Sequence, residues 1–334
     1  MRGRIHMLFW ILASVVVLLF AVDIAVGSQF IPFETLPDVL TGGGDDISRS
    51  IILKMRLPKA LTALLAGAAL AAAGVQMQTL FRNPLAGPYV LGISSGASLG
   101  VALFLLGLPL LGGMLPPSVK ALGTAGAACV GAAAVMAAVM ALSRRIKDIM
   151  VILILGMMIG SAAGAVVEIM QYMSSETALK SFVVWTMGSL GDVTPSRLRI
   201  VAPVIGAGIA LSLLLVKPLN MLMLGENYAR TMGLNVARTR GCILLSTTIL
   251  AGTVTGFCGP IGFIGLAAPH IARALFADAD HRVVLPASML TGMVMLLFCD
   301  ILSKMFALPV NTVSALMGIP VVVWVVVRNK SITV

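Results

Sequence analysis

The segment between residues 54 and 100 places the strongest constraint on the fold. After a cationic start it runs through about two dozen apolar or small residues to a polar break at residues 82–84. A second apolar stretch follows, in which Gly92, Gly96 and Gly100 fall on one face of a helix. A run of about 20 apolar residues is long enough to cross the hydrocarbon core of a bilayer. The segment therefore predicts two membrane spans joined by a sharp turn.

The composition of the whole chain agrees with a lipid environment. Hydrophobic residues make up 59% of the 334 residues and charged residues only 11%, which is too little polar surface to cover a soluble globule. Backbone polar groups in lipid must be satisfied within helices or closed barrels. The apolar runs are too long for alternating barrel strands. We therefore predict an all-α, polytopic membrane protein.

Apolar runs between charged or Pro/Gly breaks predict about ten transmembrane helices. They cover residues 6–27, 51–80, 88–107, 118–142, 149–172, 196–216, 240–257, 260–275, 283–306 and 309–328. The first run is interpreted as an uncleaved span rather than a secretory signal, because it is slightly long for a signal core. Residues 174–195 are predicted to hold an additional helix along the outer membrane face. The chain, 1–334, is thus predicted to be one transmembrane domain.

The distribution of lysine and arginine predicts the orientation. Cytoplasmic loops are enriched in these residues, and with the N-terminus inside, the inner side collects a majority of the 23 cations. Both termini are therefore predicted to be cytoplasmic. The net charge of +10 reflects this bias together with attraction to anionic membrane lipid, and we do not interpret it as nucleic-acid binding.

Enzyme and metal motifs are weak in this chain. Residues 92–96 satisfy the pattern GxSxG, but that nucleophile elbow needs a preceding strand, and close helix packing explains its glycines. The cysteines and histidines lack metal-ligand spacing, and no GxxxxGK[ST] loop is present to hold a nucleotide. We predict no catalytic residue, no metal ion and no cofactor bound by this chain. An intramembrane hydrolase that uses Ser94 is one alternative.

Acidic residues within the spans leave another alternative open. Charges at membrane depth usually have a function, and Glu168 and Asp300 lie within predicted spans. Lys304 follows Asp300 by four residues, a spacing that suits an ion pair on one helix. We interpret Asp300 as locally neutralised and Glu168 as directed outward. The alternative is an ion-coupled secondary transporter that acts without ATPase subunits.

A series of short motifs occurs in a fixed order after about residue 50. They are Arg56-Leu57-Pro58, Asn83-Pro84-Leu85-Ala86, Leu91-Gly92-Ile93-Ser94-Ser95-Gly96-Ala97, Leu224-Gly225-Glu226, Gly259-Pro260-Ile261-Gly262, Asp280-His281-Arg282 and Leu308-Pro309-Val310. The series resembles the signature of FecCD-type permeases, which are the membrane subunits of ABC importers for iron-siderophores, haem and cobalamin.

This resemblance implies a function and a set of partners. The chain would be a multi-pass permease of the inner (plasma) membrane that moves a ferric siderophore or a related metal chelate, such as haem or cobalamin, into the cytoplasm. A second copy of the chain, two cytoplasmic ATPase subunits that bind ATP-Mg, and an extracytoplasmic substrate-binding protein would be its partners. The chain itself would not be an enzyme.

The resemblance also assigns an ATPase-coupling role to the cytoplasmic loop at residues 217–239. Gly225, Glu226, Ala229, Arg230 and Gly233 match the pair of short coupling helices that fit a cleft in each ATPase subunit. Glycines permit tight turns between such helices, and Ala229 permits close approach. A plain solvated loop is the alternative interpretation.

Two further roles follow from the resemblance. Arg56, Lys59 and Lys304 match outer positions that present cations to acidic residues of the substrate-binding protein, although lysine lacks the bidentate fork of arginine. Their alternative role is to anchor span ends at lipid headgroups. Asn83 and Leu85 match the inner gate, with an ordinary helix-ending turn as the alternative. The second gate segment departs from the family pattern, because it contains residues 148–150, Asp-Ile-Met, where relatives often have small hydroxyl residues.

Overall fold

A computed structural model describes residues 2–27, 46–107, 117–143, 145–146 and 148–328, and these residues form a bundle of helices. No strand occurs among them. The helices are α1 (Arg2–Ala25), α2 (Asp46–Ile51), α3 (Leu57–Leu80), α4 (Ile93–Ala102), α5 (Pro117–Ser143), α6 (Ile149–Tyr172), α7 (Glu176–Thr186), α8 (Pro195–Leu214), α9 (Val216–Met223), α10 (Glu226–Thr231), α11 (Val236–Cys258), α12 (Ile264–Phe276), α13 (His281–Phe306) and α14 (Val310–Arg328). Short π-helical turns, Ile52–Arg56 and Leu103–Gly107, precede α3 and follow α4.

The prediction of an all-α membrane protein with about ten spans is confirmed. Within the described residues, seven helices are long and apolar enough to cross a bilayer, and three shorter apolar helices lie at 93–107, 264–276 and 310–324. The run at 260–275 gives one of these short helices, because α12 has only 13 residues. Helix α7 occupies the segment in which the sequence predicts an additional helix.

Helix α3 forms the centre of the bundle. Its residues from Ala66 to Leu80 are buried, and it packs against α8, α11, α12 and α13. Glycines make this close approach possible, since a Cβ atom added to Gly74 would overlap the carbonyl oxygen of Gly265. Gly67 and Gly292 face each other in the same way. Small residues at helix contacts are the usual means by which transmembrane helices approach closely.

The glycines of the GxSxG pattern serve helix packing, as predicted. Gly96 and Gly100 lie against the backbone of α5, where a Cβ atom on either would overlap a carbonyl oxygen. Gly92 caps the start of α4 with a φ of 82° and lies against Gly160 of α6. The three glycines therefore contact two neighbouring helices rather than one. Ser94 lies in the first turn of α4, and the structure describes a loop rather than a strand before it.

Candidate functional site

Charged side chains from three helices meet at the end of the bundle that is predicted to face outward. The Nζ atom of Lys304 lies 2.8 Å from a carboxylate oxygen of Asp23 and 2.8 Å from one of Asp300. The Nζ atom of Lys59 lies 3.0 Å from the other oxygen of Asp300. Both carboxylate side chains are fully buried. We call these four residues the outer ion cluster; it joins α1, α3 and α13.

Arg56 extends this end of the bundle. Its guanidinium donates hydrogen bonds to the carbonyl oxygens of Ile24 (3.0 Å) and Ala25 (2.8 Å), at the C-terminus of α1. The last carbonyls of a helix have no partner within it, so a cation there satisfies them and complements the helix dipole. Arg56 is itself buried. It therefore holds the end of α1 against the start of α3.

The structure shows how far each of the three predicted docking cations is exposed and paired. The i,i+4 ion pair between Asp300 and Lys304 is confirmed. Arg56 is buried within the chain, the side chain of Lys304 is 9% exposed, and that of Lys59 is 22% exposed. Sequence reasoning missed the contribution of Asp23, which lies 281 positions from Lys304 and so has no local spacing signal. Docking of a binding protein at these cations stays a prediction.

At the opposite end, the predicted coupling loop forms two short helices, α9 and α10. Gly225 separates them with a φ of 105°, and Gly233 follows α10 with a φ of 84°. Both values lie in a region that glycine adopts without steric cost. Ala229 is completely buried on the inner side of α10. The loop is thus a compact folded unit with one face packed and one face exposed.

An ion-pair cluster fixes α10 to the first turns of α11. A carboxylate oxygen of Glu226 accepts a hydrogen bond from Arg240, and its other oxygen lies 3.5 Å from Arg230. The Arg240 side chain is only 7% exposed, whereas Arg230 is largely in solvent. A charge-assisted bond to a buried guanidinium is among the stronger polar contacts in proteins. Sequence reasoning missed this pair, because the two residues belong to different helices.

A hydrogen-bonded chain connects α9 to α13 and α3. The Asn220 side-chain oxygen accepts from the backbone N–H of His281 (2.9 Å) and lies 2.7 Å from His281 Nδ1. Because the Asn220 oxygen can only accept, Nδ1 carries the proton in this contact. Nε2 lies 2.7 Å from the Thr79 hydroxyl, which also lies 2.9 Å from the carbonyl oxygen of Val75. The Asn220 amide in turn donates to Asp280. One side chain of the loop is therefore bound to the start of α13 and, through His281, connected to α3.

Asp280 caps the N-terminus of α13 in the loop before that helix. Its carboxylate accepts a hydrogen bond from the backbone N–H of Arg282 at 2.9 Å. This bond, with smaller contributions from Asn220 and from nearby positive charge, lowers the pKa of Asp280. The cap is therefore charged at neutral pH, as the positive end of a helix dipole favours.

The predicted inner gate is a tight turn after α3. The side-chain oxygen of Asn83 accepts from the backbone N–H of Leu85 at 2.9 Å, which closes an Asx turn. The carbonyl oxygen of Pro84 accepts from His270 of α12, at 2.8 Å. Leu85 is 37% exposed within the single chain. The turn is thus rigidly held and presents an apolar side chain outward.

The second predicted gate segment has an unambiguous local role. Asp148 is the N-cap of α6, and its carboxylate accepts from the backbone N–H of Met150 at 2.8 Å. An aspartate here performs the same capping as a serine or threonine. The departure from the family pattern therefore preserves the helix start.

Comparison with known proteins places these features in context. A profile of the FecCD transport family matches residues 15–328. The chain is 36% identical to the hemin transport system permease protein HmuU of Yersinia pestis, with 99% of this chain and 98% of the relative covered. It is 37% identical to the vitamin B12 import system permease protein BtuC of Klebsiella pneumoniae, with 84% and 83% covered.

Solved structures share the fold. A metal-chelate type ABC transporter in an inward-facing conformation superimposes with a TM-score of 0.84, at 28% identity, over 96% of this chain and 98% of the other. PsaBC of Streptococcus pneumoniae, solved with a Fab, gives a TM-score of 0.54 at 17% identity over 79% of this chain and 88% of the other, which supports the general fold alone.

Proposed function

The chain belongs to the FecCD transport family, and on this premise we propose that it is the membrane permease subunit of an ABC importer for a metal chelate. The carried molecule would be a ferric siderophore, haem or cobalamin, moved from outside to cytoplasm across the inner membrane. The observation that carries the proposal is the similarity to HmuU, named as a hemin permease, over nearly the full length of both chains.

The pathway would lie between two copies of this chain. Helix α6 supports this arrangement, because its solvent-exposed face is apolar over most of its length and includes Met150, Ile154, Met158, Val166 and Ile169. Small residues such as Gly164 interrupt these large side chains and leave room for a bulky molecule. A wall of this kind binds a metal chelate weakly and lets it leave. In this arrangement, Asn83 and Leu85 of both copies would close the inner end.

The two short helices would receive the movement of two cytoplasmic ATPase subunits, which hold ATP-Mg. Within this role, the exposed face of α10 would enter a cleft in the ATPase. Glu226 would then pass the motion to α11 through Arg240, and Asn220 would pass it to α13 through His281. These contacts support the coupling role of residues 225–233, because they give the loop a rigid connection to the spans.

At the outer end, an extracytoplasmic binding protein would deliver the chelate. Lys59 is the most exposed of the three predicted docking cations, so an acidic residue of the partner would reach it first. Arg56 and Lys304 would contribute to the positive potential that steers approach rather than to direct contact, since the chain already surrounds them.

The coupling role makes a prediction for Glu226. We expect Glu226→Ala to lower chelate uptake about tenfold or more, because a lost charge-assisted bond changes the population of the correctly placed α10 by that order. The measurement is uptake of radiolabelled ferric siderophore, haem or cobalamin by cells that express the complete transporter. Glu176→Ala is the matched control, since Glu176 is likewise the first residue of a short helix, α7, at the other end.

Proteoliposomes that contain the purified complex distinguish the importer from the ion-coupled alternative. We expect uptake to require ATP and to continue when an ionophore removes ion gradients. Uptake without ATPase subunits, driven by an ion gradient, would contradict the proposal. Full uptake by Glu226→Ala would leave the importer possible but would remove the coupling role of this residue.

A further inference from the structure

A cavity of about 780 Å³ opens at the inner end of the bundle, where α5 ends and α11 begins. It lies beside the exposed end of α10 and is separate from the turn at residues 83–85. Its lining includes Arg230, Arg238 and Arg240 together with apolar side chains of α5 and α11. Arg230 and Arg240 also belong to the proposed coupling unit, whereas Arg238 and the apolar lining have no role in it.

The polar part of the cavity carries excess positive charge. Arg230 and Arg240 share the single carboxylate of Glu226, while Arg238 forms no ion pair within the described residues. Among the described residues, the cavity lining thus has three guanidinium groups, and Glu226 is the carboxylate paired with two of them. The N-terminus of α11 opens into the same cavity, through Asn235 and Val236, and adds the positive end of a long helix dipole. This chemistry favours an anion, and the planar guanidinium groups fit a phosphate oxygen pair.

The lining of the cavity changes from polar to apolar along α11. Arg238 lies at its polar end and Leu245 at its apolar end, about 10 Å further along the helix axis by the rise per residue. Met140 of α5 lines the cavity as well, and Leu245 is 45% exposed. Because α11 is long and apolar enough to cross a bilayer, Leu245 is expected at the depth of the hydrocarbon core, and the arginines near the start of the helix at the depth of the headgroups.

We propose that this cavity binds one anionic phospholipid, with the phosphate at Arg238 and Arg230 and an acyl chain along Leu245 and Met140. The graded lining favours a lipid over a free phosphate ion, for which the apolar half would serve no purpose. It also favours a lipid over an acidic protein segment, because the exposed Leu245 belongs to a helix that is long and apolar enough to cross a bilayer. Basic pockets between spans on the cytoplasmic side commonly bind such headgroups.

The bound lipid would lie next to the Glu226–Arg240 ion pair. It would thus place negative charge beside Arg230 and Arg238, and stabilise the arrangement of α10 on α11. This inference goes beyond the proposed function, since it concerns the chain and its membrane rather than the transported chelate.

Native mass spectrometry of the purified chain in detergent tests the proposal. The probes are phosphatidylglycerol and phosphatidylcholine with identical acyl chains. We expect one phosphatidylglycerol to bind in preference to phosphatidylcholine, and Arg238→Gln to weaken it about five- to tenfold, the effect of one cation near a headgroup. Arg199→Gln is the matched control, because Arg199 is an exposed arginine near the start of α8, at the opposite end.

Three results would overturn the proposal. Equal binding of the two lipids would show that charge plays no part. Displacement of phosphatidylglycerol by millimolar inorganic phosphate would assign the cavity to a free anion. If Arg238→Gln keeps the lipid but prevents copurification of ATPase subunits, the arginine contacts that partner instead. None of these results depends on transport, so a failure of this proposal is distinguishable from a failure of the importer assignment.

Discussion

Gly74→Ala is expected to destabilise the protein by about 1–3 kcal/mol or more and to reduce the yield of folded protein. The added methyl group would overlap the carbonyl oxygen of Gly265, and both residues are backbone contacts of packed helices. No flexible side chain is present there to move aside. Relief therefore requires α3 and α12 to separate, which disturbs the centre of the bundle. Thermal unfolding of the purified protein in detergent measures the effect.

Gly206→Ala provides the control with the same chemical change. Gly206 lies within α8 with helical backbone angles, and a Cβ atom there would meet nothing within 4 Å. Alanine in a helix is favoured over glycine by roughly 0.5–1 kcal/mol. We therefore expect the two substitutions to have opposite signs. If Gly74→Ala unfolds at the same temperature as Gly206→Ala, the close contact between α3 and α12 is wrong.

A second substitution tests whether the sensitivity of α3 to an added methyl group is confined to its contact with α12. Gly67 faces Gly292 on α13, about two turns of α3 away from the contact with α12. Gly67→Ala is expected to destabilise as well, because its Cβ atom would also overlap a backbone oxygen. Stability loss at both glycines indicates that α3 is held on two sides by backbone contacts.

The apolar runs of the sequence predicted the spans well, because the length of such a run is a local property. The short helix α12 and the additional helix α7 were both found in this way. The Asp300–Lys304 pair was found for the same reason, since four residues bring side chains together on one helix. The predicted boundaries differ from the helix ends by a few residues, where capping decides the last turn.

Contacts between distant residues could not be predicted in this way. Asp23, Lys59 and Lys304 belong to three helices, and the packing of α1 and α3 against α13 brings them together. The Glu226–Arg240 and Asn220–His281 contacts likewise depend on how the loop folds back on the bundle. Sequence reasoning identified Glu226 from a motif but gave it no partner. The structure adds the partner, and with it a physical route from the loop to the spans.

Lys304→Met is the second substitution with a large expected effect, a loss of about 3–5 kcal/mol of stability. The ammonium group of Lys304 bridges Asp23 and Asp300, both fully buried. Methionine fills similar space but removes the charge, so Asp23 loses its ion-pair partner while Asp300 keeps Lys59. Breaking a buried pair by removing one member is strongly destabilising, because the Asp23 carboxylate loses its direct partner and, among the described residues, keeps only its electrostatic interaction with Arg56. Thermal unfolding in detergent again provides the measurement.

Lys54→Met is the control for removal of a lysine at this end of the bundle. Lys54 is exposed and lies in the π-helical turn shortly before Lys59. An exposed charge of this kind contributes about 0–1 kcal/mol, so its removal is expected to leave the unfolding temperature nearly unchanged. Equal unfolding temperatures for Lys304→Met and Lys54→Met would contradict the burial of the outer ion cluster.

The double substitution Asp23→Asn with Lys304→Met identifies why Lys304→Met loses stability. If the uncompensated carboxylate is responsible, removing its charge restores most of the stability, as the coupling of directly contacting residues requires. If the double variant is as unstable as Lys304→Met alone, the loss comes from packing around the methionine. Restoration would also bear on docking, because it would show that the chain itself neutralises Lys304. An acidic partner would then bind at Lys59, the member of the outer ion cluster that retains exposure.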